Sequence, residues 1–580
     1  MKAQDTSCTE VHTELVNDIP LLNGLLDKMN LQPIIDSIIH PHGNHRGLSV
    51  GWLIKLWLIH ILSEQSHCLN LVRDWVKSLP ETLARLTGQP LSELDCTDDR
   101  LADGLRYLSV DADWQRIEQQ VGQHLIRVYD LPTARVRLDS TTATVGHDPA
   151  QHVLFQVGKT KAGTYDTQFK LMLASLDPLG LLLAADVVAG NCADDPLYVP
   201  CYRRFKATLA RDGLLVIGDS KMSALATRAA IVAGHDHYLL PYPYAKDAPA
   251  WLPELLQPVW EQRQALLPVF RPEDLPSDGS PPDPKLALAE GFEVTRPQTA
   301  QVNGRRITWA ERCLVVRSCA YAAAERATLQ RRLTQAEADL RQLTPPRGRG
   351  QHPIREEATL QAKVTALLGH YQVAGLLEVT WERQVTVQRK RAYRGQPARQ
   401  EEDVRYVITA VMRNAAAIEQ AERLLGWRIY VTNAPVAELT LGEAVLAYRD
   451  EYIVENIFRR LKGRRLSLTP LYLHRDDHAL GLVRLLTLAA RLLAVAEYRM
   501  RCQLAAADAE LRGLYAGQPQ RATNRPTTER LLRAFQQLTL TVITGTGPPI
   551  RHLPPLTPLQ TRILTLLDLA PTLYTDLAVA

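Results

Sequence analysis

The period of the hydrophobic positions changes along the chain, and each change marks a different kind of element. Up to about residue 130 apolar residues recur at helical spacing. Pro20 opens LLNGLLDKM, Pro33 opens IIDSII, and Ser49 is placed to cap the apolar run VGWLIKLWLIHIL. Thr97 is placed to cap DDRLADGLRYL, and Trp114, Ile117, Val121, Leu125 and Val128 form one stripe of a following helix. From Arg135 the pattern alternates as strands do. ARVRLDSTTATV carries Asp139 followed by three hydroxyl residues, and QFKLMLASLD and LGLLLAADVVAG supply two more strands joined at Asp177-Pro178. A helix over 195–211 leads to LLVIGDSKMSA, a short apolar strand ending at Gly218-Asp219, and then to a helix and the strand HYLLPY.

Three strands, a helix, a strand, a helix and a strand form the core order of a ribonuclease-H-like α/β domain. After Tyr244 the pattern breaks at a Pro-rich stretch over 245–285 and a Gly/Pro linker over 343–353. Strand-like pieces around them predict a β-rich insertion over 245–425. WRIYVTNA at 427–434 reads as a returning core strand, and Thr440 is placed to cap the next helix. The expected organisation is a helical N-terminal region (1–130) suited to DNA-end binding, a core formed by 131–244 and 426–500, the insertion (245–425), and a helical C-terminal region (501–580).

Composition narrows the setting. The 580 residues carry 67 Lys and Arg against 63 Asp and Glu, a net charge of only +4, so any nucleic-acid face must come from local clustering. Eight cysteines lack metal-finger spacing, which suits reduced thiols in a cytoplasmic protein. His40, His42, His45 and Arg46 occupy a turn and read as loop residues. The apolar segment Ala479–Val495 contains Arg484 and Arg491, which favours a buried helix over a membrane span.

Asp139 lies in the first core strand and Asp219 at the end of the fourth, strands that neighbour each other in such a sheet. Two adjacent carboxylates are costly unless cations neutralise them, and oxygen-only ligands favour Mg²⁺ or Mn²⁺. Two such ions support phosphodiester displacement. YRDEYIVENIFRRLKGRR, from Tyr448 to Arg465, reads as one amphipathic helix. Tyr448, Glu455 and Lys462, seven residues apart, would share one face of it, with Glu455 as third carboxylate and Arg459 placed to pair with it.

On these segments the chain resembles an insertion-sequence DDE transposase of the branch with a Tyr–Arg–Glu–Lys signature and a β-rich insertion domain. Tyr448, Glu455 and Lys462 match that signature in type and spacing, while its Arg position holds Glu451. LDSTT, GNCADDPLYVP, IGDSKMSA and LYLHRDDHALGLVRLLTLAARLL also resemble family segments. The resemblance implies hydrolysis at transposon ends and joining of the freed 3′-hydroxyls to target DNA. It implies Asp139, Asp219 and Glu455 as ligands of two Mg²⁺ or Mn²⁺ ions, and Tyr448 and Lys462 as phosphate contacts. Arg449 or Arg459 would replace the missing cation, or Glu451 would weaken the site. The expected partners are terminal inverted repeats and target DNA, with a homodimer in the DNA complex, no membrane, and a location on the bacterial nucleoid.

Two basic tracts add phosphate affinity without sequence reading. Residues 383–399 hold six basic and no acidic residues, Arg389, Lys390 and Arg391 among them, with Tyr393 interleaved; residues 459–465 hold five basic residues. Trp309 and Trp381 read as buried strand residues. The alternatives are a catalytically impaired or domesticated DNA-binding derivative, and a metal-dependent nuclease without strand transfer.

Overall fold

The computed structural model describes residues 10–41, 43, 46–160, 163–243, 251–346, 352–391, 397, 399–545 and 547–579. His42, His45 and Tyr393 lie outside them.

The N-terminal region opens with a strand, β1 (Glu10–Leu15), followed by α1 (Ile19–Lys28), α2 (Leu31–Ile38), α3 (Val50–Glu64), α4 (Leu69–Lys77), α5 (Pro80–Thr87), α6 (Asp98–Ser109) and α7 (Asp111–Tyr129). Ser49 caps α3 by accepting from the Trp52 amide at 3.3 Å. Thr97 stands at the N-cap of α6 without a side-chain capping bond; Asp98 and Asp99 in the first turn instead complement the helix dipole.

The core segment supplies β2 (Arg135–Thr144), β3 (Gln156–Lys159), β4 (Tyr165–Leu176), β5 (Leu181–Ala189), α8 (Asp195–Leu209), β6 (Leu215–Gly218), α9 (Leu225–Ala233) and β7 (His237–Pro241). β2 pairs antiparallel with β4, and β4 with β5, while β2–β6 and β6–β7 are parallel.

The segment expected as one insertion divides in two. α10 (Leu252–Trp260), β8 (Leu267–Val269), β9 (Ala289–Val302) and β10 (Arg305–Ser318) come first. α11 (Cys319–Gln342), α12 (Glu357–His370), β11 (Leu377–Lys390), β12 (Arg399–Arg413) and α13 (Ala415–Arg423) follow, then the returning strand β13 (Trp427–Thr432). β10 pairs with β13, so β8, β9 and β10 extend the core sheet to ten strands. The unbroken apolar run Cys313–Val316 is buried there, as a strand covered on both faces requires. Only the second half stands apart, around a small core of Leu329, Leu333, Leu340, Leu360 and Val364. Its β11–β12 ribbon is a separate two-stranded sheet. Trp309 is buried, as expected, but Trp381 is half-exposed on the ribbon and donates to Glu357.

Next come α14 (Leu441–Arg449), α15 (Tyr452–Lys462), α16 (Asp476–Ala506), α17 (Thr528–Arg533), β14 (Thr539–Thr544), β15 (Ile550–His552), α18 (Pro558–Leu566) and α19 (Thr572–Thr575). β14 pairs with β1 from Glu10↔Thr544 to Leu15↔Thr539. Neither terminal region is therefore wholly helical; each strand finds its partner at the far end of the chain, a pairing that local periodicity does not reveal.

Among the described residues α16 is the one helix long and apolar enough to cross a membrane, and its apolar window is 94% buried inside the molecule. Its two internal arginines are each paired with a carboxylate there. Arg484 donates to the Leu108 carbonyl at 2.9 Å and pairs with Asp111. Arg491, fully buried, donates to the Leu182 carbonyl at 2.9 Å and pairs with Glu118, which also binds Arg204. Gly481 admits the close crossing of α6, since a Cβ there would lie 2.1 Å from the Leu105 carbonyl oxygen.

Candidate active site

The parallel register of β2 and β6 pairs Leu138 with Gly218. Asp139 and Asp219 each follow by one residue, on neighbouring strands roughly 4.8 Å apart, and both line one small cleft with Arg137, Tyr448, Glu451 and Val454. Asp139 accepts from the Ser140 amide at 2.7 Å. Asp219 caps the 3₁₀ turn Ser220–Ser223 by accepting from the Lys221 amide at 3.0 Å, and the Tyr198 hydroxyl donates to the same oxygen at 2.6 Å. Burial, then the charge and hydrogen bond of Asp219, then Asp139 and Asp194, push the Tyr198 phenol far above its usual pKa. One phenol therefore feels three carboxylates.

The stretch expected as a single helix over Tyr448–Arg465 is two helices. α14 ends at Arg449 and α15 begins at Tyr452, with the Glu451 amide bonded back to the Tyr448 carbonyl at 3.2 Å and the Ile453 amide to Asp450 at 3.0 Å. Tyr448 thus belongs to α14, where it packs on Tyr430 at 4.8 Å between ring centroids. Burial, then Glu451, raises its phenol pKa well above normal. Glu455 and Lys462 lie on α15.

Three contacts seat these helices on the sheet. Arg137, buried in β2, pairs with Asp177 at 2.9 Å and donates to the Ala447 carbonyl at the end of α14 at 2.5 Å. Lys462 donates to Thr141 Oγ1 and to the Thr142 carbonyl, each at 2.7 Å, which pins the far end of α15 to β2. Gly180, with φ +70°, turns β4 into β5 so closely under α15 that a Cβ would touch Ile453 and Ile457 at 3.3–3.4 Å.

The carboxylate that lines the cleft with the aspartates is Glu451, at the N-cap of α15; Glu455, exposed in the first turn, does not line it. Among the described residues no three His, Cys, Asp or Glu side chains are gathered closely enough to hold a metal ion. The two aspartates nevertheless form the oxygen-only donor pair that suits a hard divalent cation. Glu455 and Arg459 make no ion pair with each other among the described residues; both are exposed, where such a pair gains little. Arg459 instead lines a second cleft with Asn456, Arg460, Arg464, Arg501 and Arg525.

Arg389, Lys390 and Arg391 are exposed at the end of β11, where Gln400 and Arg399 stand opposite Arg389 and Lys390 and Glu401 and Glu402 come next along β12. Lys390 pairs with Glu401. The basic tract is thus partly neutralised by a strand that follows it in sequence.

A larger groove of about 470 Å³ opens beside the aspartates, lined by Ser140, Thr141, Lys159, Lys170, Asp194 and Lys221 among others. Lys170 binds Asp194 Oδ1 at 2.5 Å and the Cys192 carbonyl at 2.5 Å, and Lys221 pairs with Asp194 Oδ2. Burial acts to raise the pKa of Asp194, but the two ammonium groups outweigh it and hold the carboxyl below its usual value. Burial pulls Lys221 down, and Asp194, then Asp219 and Asp139, more than restore it. Tyr198, Asp194, Lys221, Arg137 and Asp177 were not singled out by sequence reasoning. Their segments GNCADDPLYVP and IGDSKMSA carried the signal for three of them.

Residues 11–116 match the family described as "Domain of unknown function (DUF4277)". A comparison with curated protein sequences finds no match. Among solved structures, a piggyBac transposase synaptic complex with hairpin DNA aligns over 96% of this chain and 83% of that one, at 9% identity and a TM-score of 0.35. At that identity and TM-score the likeness does not establish a common family.

Proposed function

We propose that the chain is a DDE-type DNA transposase on a ribonuclease-H-like core, which cleaves at transposon ends and joins the 3′-hydroxyl to target DNA. The observation that carries this reading is the placement of Asp139 and Asp219 one residue beyond the Leu138↔Gly218 pair, in one cleft faced by the α14–α15 junction. The strand order β5-β4-β2-β6-β7, antiparallel then parallel, supports the ribonuclease-H-like assignment.

Asp139 and Asp219 would hold the Mg²⁺ or Mn²⁺ ions, with Glu455 as the third carboxylate. Bound there, the ions supply Lewis acidity toward the phosphodiester and a nucleophile at neutral pH. Tyr198 fixes the orientation of Asp219 through its hydrogen bond, as outer partners of metal ligands do. Arg137 and Lys462 hold α14 and α15 against β2, so the distance from helix to aspartates is set by buried or doubly bonded contacts. Tyr448, Arg459 and Lys462, together with Arg389, Lys390 and Arg391, are assigned to DNA phosphates. The substrate is double-stranded DNA, bound by a homodimer on the bacterial nucleoid, and the helical N-terminal region grips the transposon end.

The test is Mg²⁺-dependent cleavage of a duplex carrying the element's own terminal repeat. Asp139→Ala, Asp219→Ala and Glu455→Ala should each abolish cleavage and leave end binding largely intact. Cleavage surviving any of them overturns the assignment. A second reading, a catalytically silent DNA-binding derivative, is favoured by the dispersed third carboxylate. It predicts end binding with no cleavage by the wild-type protein.

A further inference from the structure

Asp194 receives two ammonium groups but carries one negative charge. Lys170 satisfies it from within: its side chain is only 10% exposed, and the Cys192 carbonyl fixes it as well. Lys221 approaches the other carboxylate oxygen from outside, with its side chain 52% exposed. It is thus a surplus cation at the rim, and an ion pair so exposed contributes little.

The position of that rim matters. The Lys221 amide is bonded to Asp219, so the residue stands where the 470 Å³ groove meets the paired aspartates. Ser140, Thr141, Thr142 and Thr160 line the groove with Lys159, and among the described residues Asp194 is the sole acidic one on its wall. Hydroxyl donors with lysine point charges suit phosphate oxygens and carry no base-reading geometry.

Resting on the transposase reading, we propose that Lys221 is a phosphate clamp parked on Asp194. When a DNA strand enters the groove, the ammonium leaves the carboxylate for a backbone phosphate next to the aspartates. Asp194 stays neutralised by Lys170. The carboxylate is therefore an internal stand-in for phosphate, and it weakens binding by competing with DNA for the same cation.

The test is equilibrium binding of a fluorescently labelled duplex to the full chain without divalent cation, as a function of salt. Lys221→Gln, a change at an exposed side chain, should lower affinity similarly for all sequences and reduce the log–log salt slope by about one. Asp194→Asn, checked by thermal melting, should raise affinity several-fold. An unchanged slope in Lys221→Gln overturns the clamp, as does weaker binding by a folded Asp194→Asn protein. If Asp194→Asn fails to fold, the Lys221→Gln slope decides alone. These measurements involve no cleavage, so the clamp can fail while loss of cleavage in Asp139→Ala upholds the transposase reading, and the converse is equally visible.

Discussion

The Tyr198 hydroxyl donates to Asp219 Oδ1 at 2.6 Å, on the oxygen that also caps the turn after β6. Asp219, which lines the cleft, is thereby held from two directions. Tyr198→Phe removes one donor and no volume of consequence. Changes at such outer partners typically cost 10–100-fold in metal affinity or activity. Cleavage by Tyr198→Phe should fall by about that factor, with a higher Mg²⁺ concentration needed for half-maximal rate. A wild-type Mg²⁺ profile would remove Tyr198 from the site.

Two carboxylates compete for the third ligand position. Glu451 lines the cleft, whereas Glu455 lies one turn further along α15 on nearly the same face. Glu455→Gln is expected to abolish cleavage and Glu451→Gln to lower it by no more than about 150-fold, since one lost hydrogen bond to a charge is worth ~1.5–3 kcal/mol at most. The reverse ranking in a cleavage assay assigns the third carboxylate to Glu451. Arg459 faces another cleft, so it is poorly placed to replace the signature arginine. Glu451→Arg should accordingly raise cleavage and steepen the salt dependence of end binding.

The buried Arg491–Glu118–Arg204 network ties α16, α7 and α8 together. Glu118→Ala would leave the fully buried Arg491 guanidinium without its counter-ion, while Arg204 keeps Asp186. Breaking a buried pair this way costs about 3–5 kcal/mol. Thermal melting should show the loss, and a shift equivalent to under about 1 kcal/mol would mean that water reaches the network.

In the N-terminal helices, burial pulls His60 from 6.5 to about 4 and pushes Asp18 from 3.8 to about 6. The signs oppose. As pH falls from 6.5 toward 4 the unfolded chain protonates its histidine first, so stability is lost. As pH falls from 6 toward 3.8 the folded chain protonates Asp18 first, so stability is gained. Each is worth on the order of 1–2 kcal/mol between pH 7 and 5. Hydrogen exchange in α3 should therefore show that His60→Gln improves acid tolerance relative to its own stability at pH 7, and that Asp18→Asn worsens it. Parallel pH profiles for wild type and both variants would contradict the two shifts.

The parts of this chain written in local pattern are the ones that sequence reasoning reaches. Ser49 and Thr440 cap their helices through side-chain bonds, and the apolar β2 and β6 bring Asp139 and Asp219 to adjacent positions. What escapes is set by distant pairing. β1 and β14 find each other across more than 500 residues, and β10 leaves the expected insertion because β13 offers it a buried edge. The break at Asp450–Glu451 also escapes, since an amphipathic stripe continues across it and no proline or glycine marks the turn. Asp194 and Lys221 acquire meaning only when the loop after β5 and the turn after β6 meet at one groove.

The central claim is that Asp139 and Asp219 together hold the divalent cations used to cut DNA. Exchanging each for cysteine tests it most directly, because a thiolate ligates Mg²⁺ poorly and accepts Mn²⁺ more readily. Asp139→Cys and Asp219→Cys should be inactive on terminal-repeat DNA in Mg²⁺ and recover part of their cleavage in Mn²⁺, while the alanine variants stay inactive in both. Wild-type cleavage by either cysteine variant in Mg²⁺ would contradict the account.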